Sequence, residues 1–414
     1  MHSESVDTLV IGGGQAGIAA SEHLTRLGVP HLVVERARIA EHWRSRRWDS
    51  LVANGPAWHD RFPHQTFEAT APEGFAPKEE VADYLERYAA TFAGPIRTGV
   101  NVTRLRRRAD GAFVAETGDG ASIVARNVIV ATGAFQNPVI PPLIPATAGI
   151  TQIHSAHYRN PGQLPPGGVV VIGAGSSGVQ IADELNRSGR RTWLAVGPHS
   201  RPPRRYRGQD FVWWLGALGK WDQTPEQTSG THVTIAVSGA HGGQTVDFRD
   251  LAQAGITLVG RATGYAQGAL TFSNDLAANI AAGDADYLAT LREADAYAQA
   301  QHLDLPEEPE AWRIGPDPAC VTDPLRKLDL GAAGITAVVW ATGYAMDFGW
   351  IDLDVFNPDG SPRHRRGVSD VPGLHFLGLP GLSRRASSFI WGVWHDAAHL
   401  AEHIAARAAA PITA

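Results

Sequence analysis

The stretch Val10-Ile11-Gly12-Gly13-Gly14-Gln15-Ala16-Gly17 decides the fold, because it returns as Val171-Ile172-Gly173-Ala174-Gly175-Ser176-Ser177-Gly178. Each copy follows a run of β-branched residues and opens a helix-like segment. That is the order of a strand, a tight turn and a helix whose N-terminus can hold a pyrophosphate. One glycine triplet also closes ordinary turns, so the weight lies in its repetition with a strand before and a helix after. The copies part company at the next strand. After the first, His31-Leu32-Val33-Val34 ends in Glu35, and a carboxylate there suits a ribose with a free 2′-hydroxyl. After the second, Thr192-Trp193-Leu194-Ala195-Val196 ends in Gly197, with Arg201, Arg204 and Arg205 following. Guanidinium groups there suit a 2′-phosphate. Two different adenine dinucleotides in one chain imply FAD at the first turn, NADPH at the second, and a flavin that takes hydride from a nicotinamide.

Working outward, the chain reads as an α/β protein with two Rossmann-like dinucleotide-binding domains, the NADPH domain inserted into the FAD domain. The expected division is 1–160 and 321–414 for the FAD domain and 161–320 for the NADPH domain. Three alternating runs, near 100–108, 112–117 and 122–130, are separated by turn signals and predict a β-meander. A helix is expected near 79–92, an acidic one over Asp284 to Gln301, and a last one from Ser388 to Ala408. A strand pair is expected at Val233–Val237 and Thr245–Phe248. Ala131-Thr132-Gly133 and Ala341-Thr342-Gly343 each close a strand, and their repetition after each nucleotide unit reads as a pair of domain crossings.

The 414 residues allow two or three domains, and a hydrophobic share of 43% with 19% charged residues fits a soluble globular protein. A net charge of −6 gives no argument for nucleic acid or a membrane surface. Cys320 is alone, so the paired thiols of a disulfide reductase are missing. There is no signal-like N-terminus, and no apolar run nears the ~20 residues of a membrane span, so the expected compartment is the cytoplasm. His395, His399 and His403 have metal-ligand spacing, but Asp396 breaks the H-E-x-x-H pattern, and no metal is expected. A homodimer is among the assemblies left open.

These features together resemble the class B flavoprotein monooxygenases, the group of the flavin-containing monooxygenases and of bacterial flavoproteins associated with cation efflux. The resemblance rests on both glycine turns, both Ala-Thr-Gly crossings, Trp43-Arg44 before Ser50-Leu51-Val52-Ala53-Asn54, the tract Pro203 to Gly208, and the tail Phe376-Leu377-Gly378-Leu379-Pro380. The family's F-x-G-x-x-x-H-x-x-x-[F/Y] pattern survives only at His154 and Tyr158; Ala148 and Ile150 stand at its Phe and Gly positions. The resemblance implies an NADPH-dependent FAD monooxygenase. It would insert one oxygen atom of O2 into a small organic substrate through a flavin C4a-(hydro)peroxide. It further implies cofactor contacts at Gln15, Ala16, Arg36, Trp43, Arg44, Val102, Ser176, Ser177 and Gly378, besides the glycines and crossings above. Asn54 falls at a position near the flavin's reactive edge, and Trp58 and His59 just beyond it are candidate substrate contacts. An NADPH-driven flavin reductase or oxidase passing electrons to a quinone or to O2 is the enzymatic alternative. A redox-silent nucleotide sensor is the non-enzymatic one.

Overall fold

The computed structural model describes residues 3–227 and 234–409. Its core is two parallel sheets, each built on one of the glycine turns. In the first, Ser3–Ile11 lies between Ser122–Val130 and His31–Glu35, with Leu374–Phe376 and Ile96–Thr98 further out, all parallel. Leu9, Val10 and Val33 have no exposed surface, as expected of strands covered on both faces. The helix Gln15–Arg26 covers one side together with the last helix, Ile390–Ala409. The meander is present as Val102–Arg107, Phe113–Thr117 and Ser122–Val130, and its third strand doubles as a member of the parallel sheet.

The second sheet has the order Thr257–Val259, Thr192–Ala195, Gly168–Ile172, Ile335–Trp340, Thr151–His154, again all parallel. Two of these strands fall outside the expected 161–320 segment. Thr151–His154 precedes it and Ile335–Trp340 follows it, so the second sheet draws its strands from residue 151 to residue 340. Both strands therefore lie between the two Ala-Thr-Gly crossings and outside the expected 161–320 bounds, with Ile335–Trp340 leading directly into Ala341. The crossings also pair: Tyr344–Ala345 runs antiparallel to Asn137–Pro138, and the Val139 amide donates to the Gly343 carbonyl at 3.0 Å.

Two local expectations need correction. Thr245–Phe248 is not a strand, because Asp247 accepts from the Arg249 amide at 2.8 Å and caps a helix over Phe248–Gln253. Thr234–Ile235 instead pairs in parallel with His199–Ser200, while Val233 lies outside the described residues. The acidic helix starts earlier, spanning Leu276–Ala300. Among the described residues no helix is long and apolar enough to cross a membrane.

Candidate functional site: two nucleotide cradles and the segment between them

Both cradles have the same backbone construction. Gly12 has φ +120°, and a Cβ there would sit 2.5 Å from the Ala131 carbonyl oxygen; Gly173 has φ +108° and stands 2.4 Å from that of Ala341 by the same measure. Only glycine allows that backbone and that approach. Each Ala-Thr-Gly crossing thus presses its alanine on the first glycine of its own turn. Gly17 and Gly178 each face the carbonyl of the first glycine at 1.8 Å from a built Cβ, which fixes the helix against the strand.

The first cradle is open. A Cβ at Gly14 would meet nothing within 4 Å, so a ligand can approach the helix N-terminus there. Glu35 is held at the strand end by the Gly13 amide at 2.7 Å and the Ala37 amide at 2.9 Å, one to each carboxylate oxygen. Each oxygen retains a lone pair for a ribose hydroxyl. Gly378 packs its backbone on Ala16, 2.7 Å from a built Cβ, and Gln15 donates to the Ser388 carbonyl at 2.8 Å. The tail therefore packs against the first turn of the helix and leaves the approach at Gly14 open. Thr132 and Gly133 line the exit beside Gln136, whose amide donates to the Gly133 carbonyl at 2.7 Å. Trp43 is half-buried between the cores of the two units, and Val102 lies close beyond Val100, whose amide donates to the Glu35 carbonyl at 2.9 Å. Arg36 is exposed, and among the described residues its side chain meets His42 at 3.3 Å and no other polar partner. Arg44 points elsewhere: its guanidinium bonds Asp83 at 2.9 Å and Glu86 at 2.7 Å on the neighbouring helix, so it is not an open phosphate ligand. These residues fit FAD.

Strand register shows what the second cradle offers. Ile11 pairs Val34 and Ile172 pairs Ala195, so Val196 stands where the first unit has Glu35, and Gly197 where it has Arg36. The ribose-binding carboxylate is replaced by an apolar residue. A Cβ on Gly197 would lie 3.2 Å from Cγ and 3.3 Å from Cδ of Arg261. Arg261 follows the adjacent strand Thr257–Val259 and brings a guanidinium to the place where Gly197 lacks a side chain. Its Nε bonds Asp275 at 2.6 Å, and among the described residues its two terminal nitrogens have no partner. Sequence reasoning missed Arg261 because its signal is contact between neighbouring strands.

Two of the three arginines expected to read a 2′-phosphate are engaged elsewhere in the fold. Arg201 is 2% exposed and bonds Asp284 through Nε at 2.9 Å and Nη2 at 2.5 Å. Burial pushes the Asp284 carboxyl up, but hydrogen bonds from Arg249 and Arg201 outweigh it and hold it below the usual carboxylate range. Arg204 is also 2% exposed, chelated by Asp210 at 2.6 to 2.9 Å and flanked by the rings of Phe75 and Phe211. Buried charges need such partners, and these groups already have them. Arg205 is exposed, with Nη1 only loosely placed on the Gly242 and Gly243 carbonyls.

The second cradle is also covered. The Thr234 methyl lies 2.3 Å from a Cβ built on Gly175, and Ser176 donates to the Ile235 carbonyl at 2.9 Å. A pyrophosphate approaching as it can at Gly14 meets the Thr234 side chain first and the Ile235 carbonyl, 3.9 Å from the same built Cβ, behind it. Ser177 is half-buried at the helix start, and Thr342 binds the carbonyl of Val139 in the opposite crossing. The residues fit NADPH once the Thr234 side chain is displaced.

Asn54 lies between the two units. Its side-chain oxygen accepts from Gln180 Nε2 at 2.9 Å, and its backbone carbonyl accepts from Arg204 Nη1 at 2.6 Å. His59 and Asp60 form a pair at 2.7 Å, and the Gly55 amide donates to the other Asp60 oxygen at 3.0 Å. The His59 ring sits among Trp58, Trp221 and Trp391, with centroids 5.1 to 5.5 Å away. His154 pins the crossings: Nδ1 accepts from the Ala156 amide at 3.1 Å, so Nε2 carries the proton and donates to the Gly343 carbonyl at 2.9 Å. Burial lowers its pKa, against the raising effect of that carbonyl. Tyr158 donates to Glu184 at 2.6 Å within the second unit. What survives of the family pattern here bonds protein groups.

The model of the pyridine nucleotide-disulphide oxidoreductase family matches residues 9–207. A CzcO-like oxidoreductase of Geobacillus kaustophilus is 32% identical over 404 residues, covering 96% of this chain and 98% of its own. The rice indole-3-pyruvate monooxygenase YUCCA1 is 31% identical over 192 residues, which is 45% of this chain and 47% of that protein. Among solved structures, a flavin-containing monooxygenase from Stenotrophomonas maltophilia superposes with a TM-score of 0.67 at 21% identity, over 98% of this chain and all of the other. That last likeness is one of fold.

Proposed function

The chain belongs to the family of the CzcO-like oxidoreductases, among the class B flavin-containing monooxygenase-like proteins, and from that premise we propose that it is an NADPH-dependent FAD monooxygenase acting on a small organic molecule. The balance is substrate, O2, NADPH and a proton giving oxygenated substrate, water and NADP+. When bound, the flavin supplies hydride acceptance from the nicotinamide and the activation of O2. The protein's part is to bind, orient and exclude water.

The observation that carries this reading is the duplicated cradle with opposite strand ends: Glu35 at one, Val196 with Arg261 beside it at the other. Under it, Gly12, Gly14, Gly17 and Glu35 hold the FAD, and Gly173, Gly175 and Gly178 face the NADPH. Arg261 takes over the 2′-phosphate role expected of Arg201, Arg204 and Arg205. Asn54 presents an amide at the flavin's edge, and Trp58 and His59 belong to the wall that the substrate meets. The strands from 151 to 340 form the NADPH unit and the remainder the FAD unit. The partial likeness to a plant indole-3-pyruvate monooxygenase supports the oxygenase reading over the reductase one. The test is a screen of NADPH consumption against sulfides, amines, indoles and ketones under isotopically heavy O2. Product carrying one heavy oxygen supports the reading. Consumption in which every electron pair appears as hydrogen peroxide, across all substrates, refutes it in favour of an oxidase.

A further inference from the structure

Gln180 joins two things that lie far apart in the sequence. It sits on the helix Ser176–Arg187, which rises from the second cradle, and it is 8% exposed. Its Nε2 donates to Asn54 Oδ1 at 2.9 Å and to the Val237 carbonyl at 3.0 Å. A backbone carbonyl can only accept, so Val237 fixes which end of the Gln180 amide faces this way. Gln180 in turn obliges Asn54 to present its oxygen inward and its NH2 outward. Among the described residues, that NH2 has no acceptor.

Val237 belongs to the segment that covers the second cradle. Its start, Thr234, lies over Gly175, and Ser176 holds Ile235. Its end reaches Asn54 from the other side: a Cβ on Gly239 would stand 2.1 Å from the Ala53 carbonyl oxygen. Six residues therefore run from the pyrophosphate position of one unit to the candidate flavin edge of the other. A pyrophosphate at Gly175 displaces the Thr234 methyl and competes with the Ile235 carbonyl for the Ser176 hydroxyl, and that carbonyl belongs to the same short segment as the Val237 carbonyl on which Gln180 rests.

We propose that Gln180 is a positioning residue that sets the Asn54 amide and makes its setting depend on whether the second cradle is occupied. This rests on the reading that Asn54 lies at the flavin edge. Before NADPH binds, Gln180 is shared between Asn54 and Val237. Once the Thr234–Gly239 segment moves, the bond to Val237 is altered and the Asn54 amide is re-aimed. Occupancy at one site thereby reaches the other through a single side chain.

The experiment uses the FAD-loaded full chain and four variants: Gln180→Glu, Gln180→Leu, Asn54→Ala and the Asn54→Ala/Gln180→Leu double variant. Gln180→Glu keeps the shape but, when ionised, cannot donate. Two quantities are read: hydrogen peroxide released per NADPH consumed, and the change that NADP+ induces in the flavin absorbance spectrum. The expected result is a peroxide fraction raised about fivefold in each single variant, the size of one lost hydrogen bond. The double variant should be no worse than Asn54→Ala alone, and the NADP+-induced spectral change should be lost in Gln180→Glu, which preserves packing. Additive effects, or a spectral change in Gln180→Glu equal to that of the parent, overturn the proposal. A chain that binds FAD and transfers oxygen yet ignores these substitutions refutes only the role of Gln180. A chain that transfers no oxygen refutes the function proposed above.

Discussion

Replacing Arg261 with alanine should cost NADPH recognition and leave NADH recognition in place. The side chain lies against Gly197, at the end of the strand whose counterpart carries Glu35, and its Nε is anchored on Asp275. Its terminal nitrogens are free to make paired contacts with a phosphate. A hydrogen bond to a charged group contributes about 1.5–3 kcal/mol. The side chain is 60% exposed, so solvent screening favours the lower part of that range, and about 2 kcal/mol is the working figure. That is a rise of roughly 30-fold in the Kd for NADP+. Binding to the FAD-loaded protein, titrated with NADP+ and NAD+ in parallel, reads it directly. Arg261→Ala should weaken NADP+ about 30-fold and NAD+ by less than about threefold. The gap between the cofactors should narrow as salt is raised, since the contact is exposed. Equal weakening of both cofactors would refute the reasoning, as would an unchanged Arg261→Ala beside a defective Arg205→Ala.

Three further outcomes follow from the same geometry. Gly14→Ala should fold normally, since nothing lies within 4 Å of its built Cβ, yet lose FAD affinity; Gly17→Ala, 1.8 Å from the Gly12 carbonyl, should lose ~3 kcal/mol or more of stability by urea titration of both variants. Arg204→Ala strands the buried Asp210 carboxylate and should cost about 3–5 kcal/mol, whereas exposed Arg205→Ala should stay within about 0.5 kcal/mol of the parent in the same assay. His375 is fully buried, and burial lowers its pKa to about 3. The unfolded chain therefore takes up a proton as pH falls below about 6.5 and the folded chain does not, so stability is lost from there down towards pH 3. At pH 4.5 this amounts to about 3 kcal/mol relative to neutral pH, and His375→Gln should flatten the urea-midpoint profile across that window by a comparable amount.

The parts of the molecule legible in the sequence are those written in local spacing. The glycine turns, Glu35 and the meander each depend on residues within about one strand–turn–helix unit, and the turn chemistry announces them. The arginine tract shows where such reading stops. Arg201 and Arg204 follow the right strand, but Asp284 and Asp210 claim them, and one of those acids lies on a distant helix. Arg261 could not be picked out, because only the pairing of Thr192–Ala195 with Thr257–Val259 brings it beside Gly197. Sheet membership is hidden for a related reason: Thr151–His154 and Ile335–Trp340 look like ordinary strands, and nothing in their composition says which sheet they join. Asn54 was singled out by resemblance, yet its partners Gln180 and Arg204 are visible only when the two units meet.

In the function proposed here the amino-terminal cradle holds FAD and the second cradle feeds it from NADPH. The most direct measurement is anaerobic mixing of FAD-reconstituted protein with NADPH or NADH while the flavin absorbance is followed. One FAD per chain, bleached faster by NADPH than by NADH, is the predicted result. Protein that retains no FAD, or bound FAD that neither nicotinamide reduces, would contradict it.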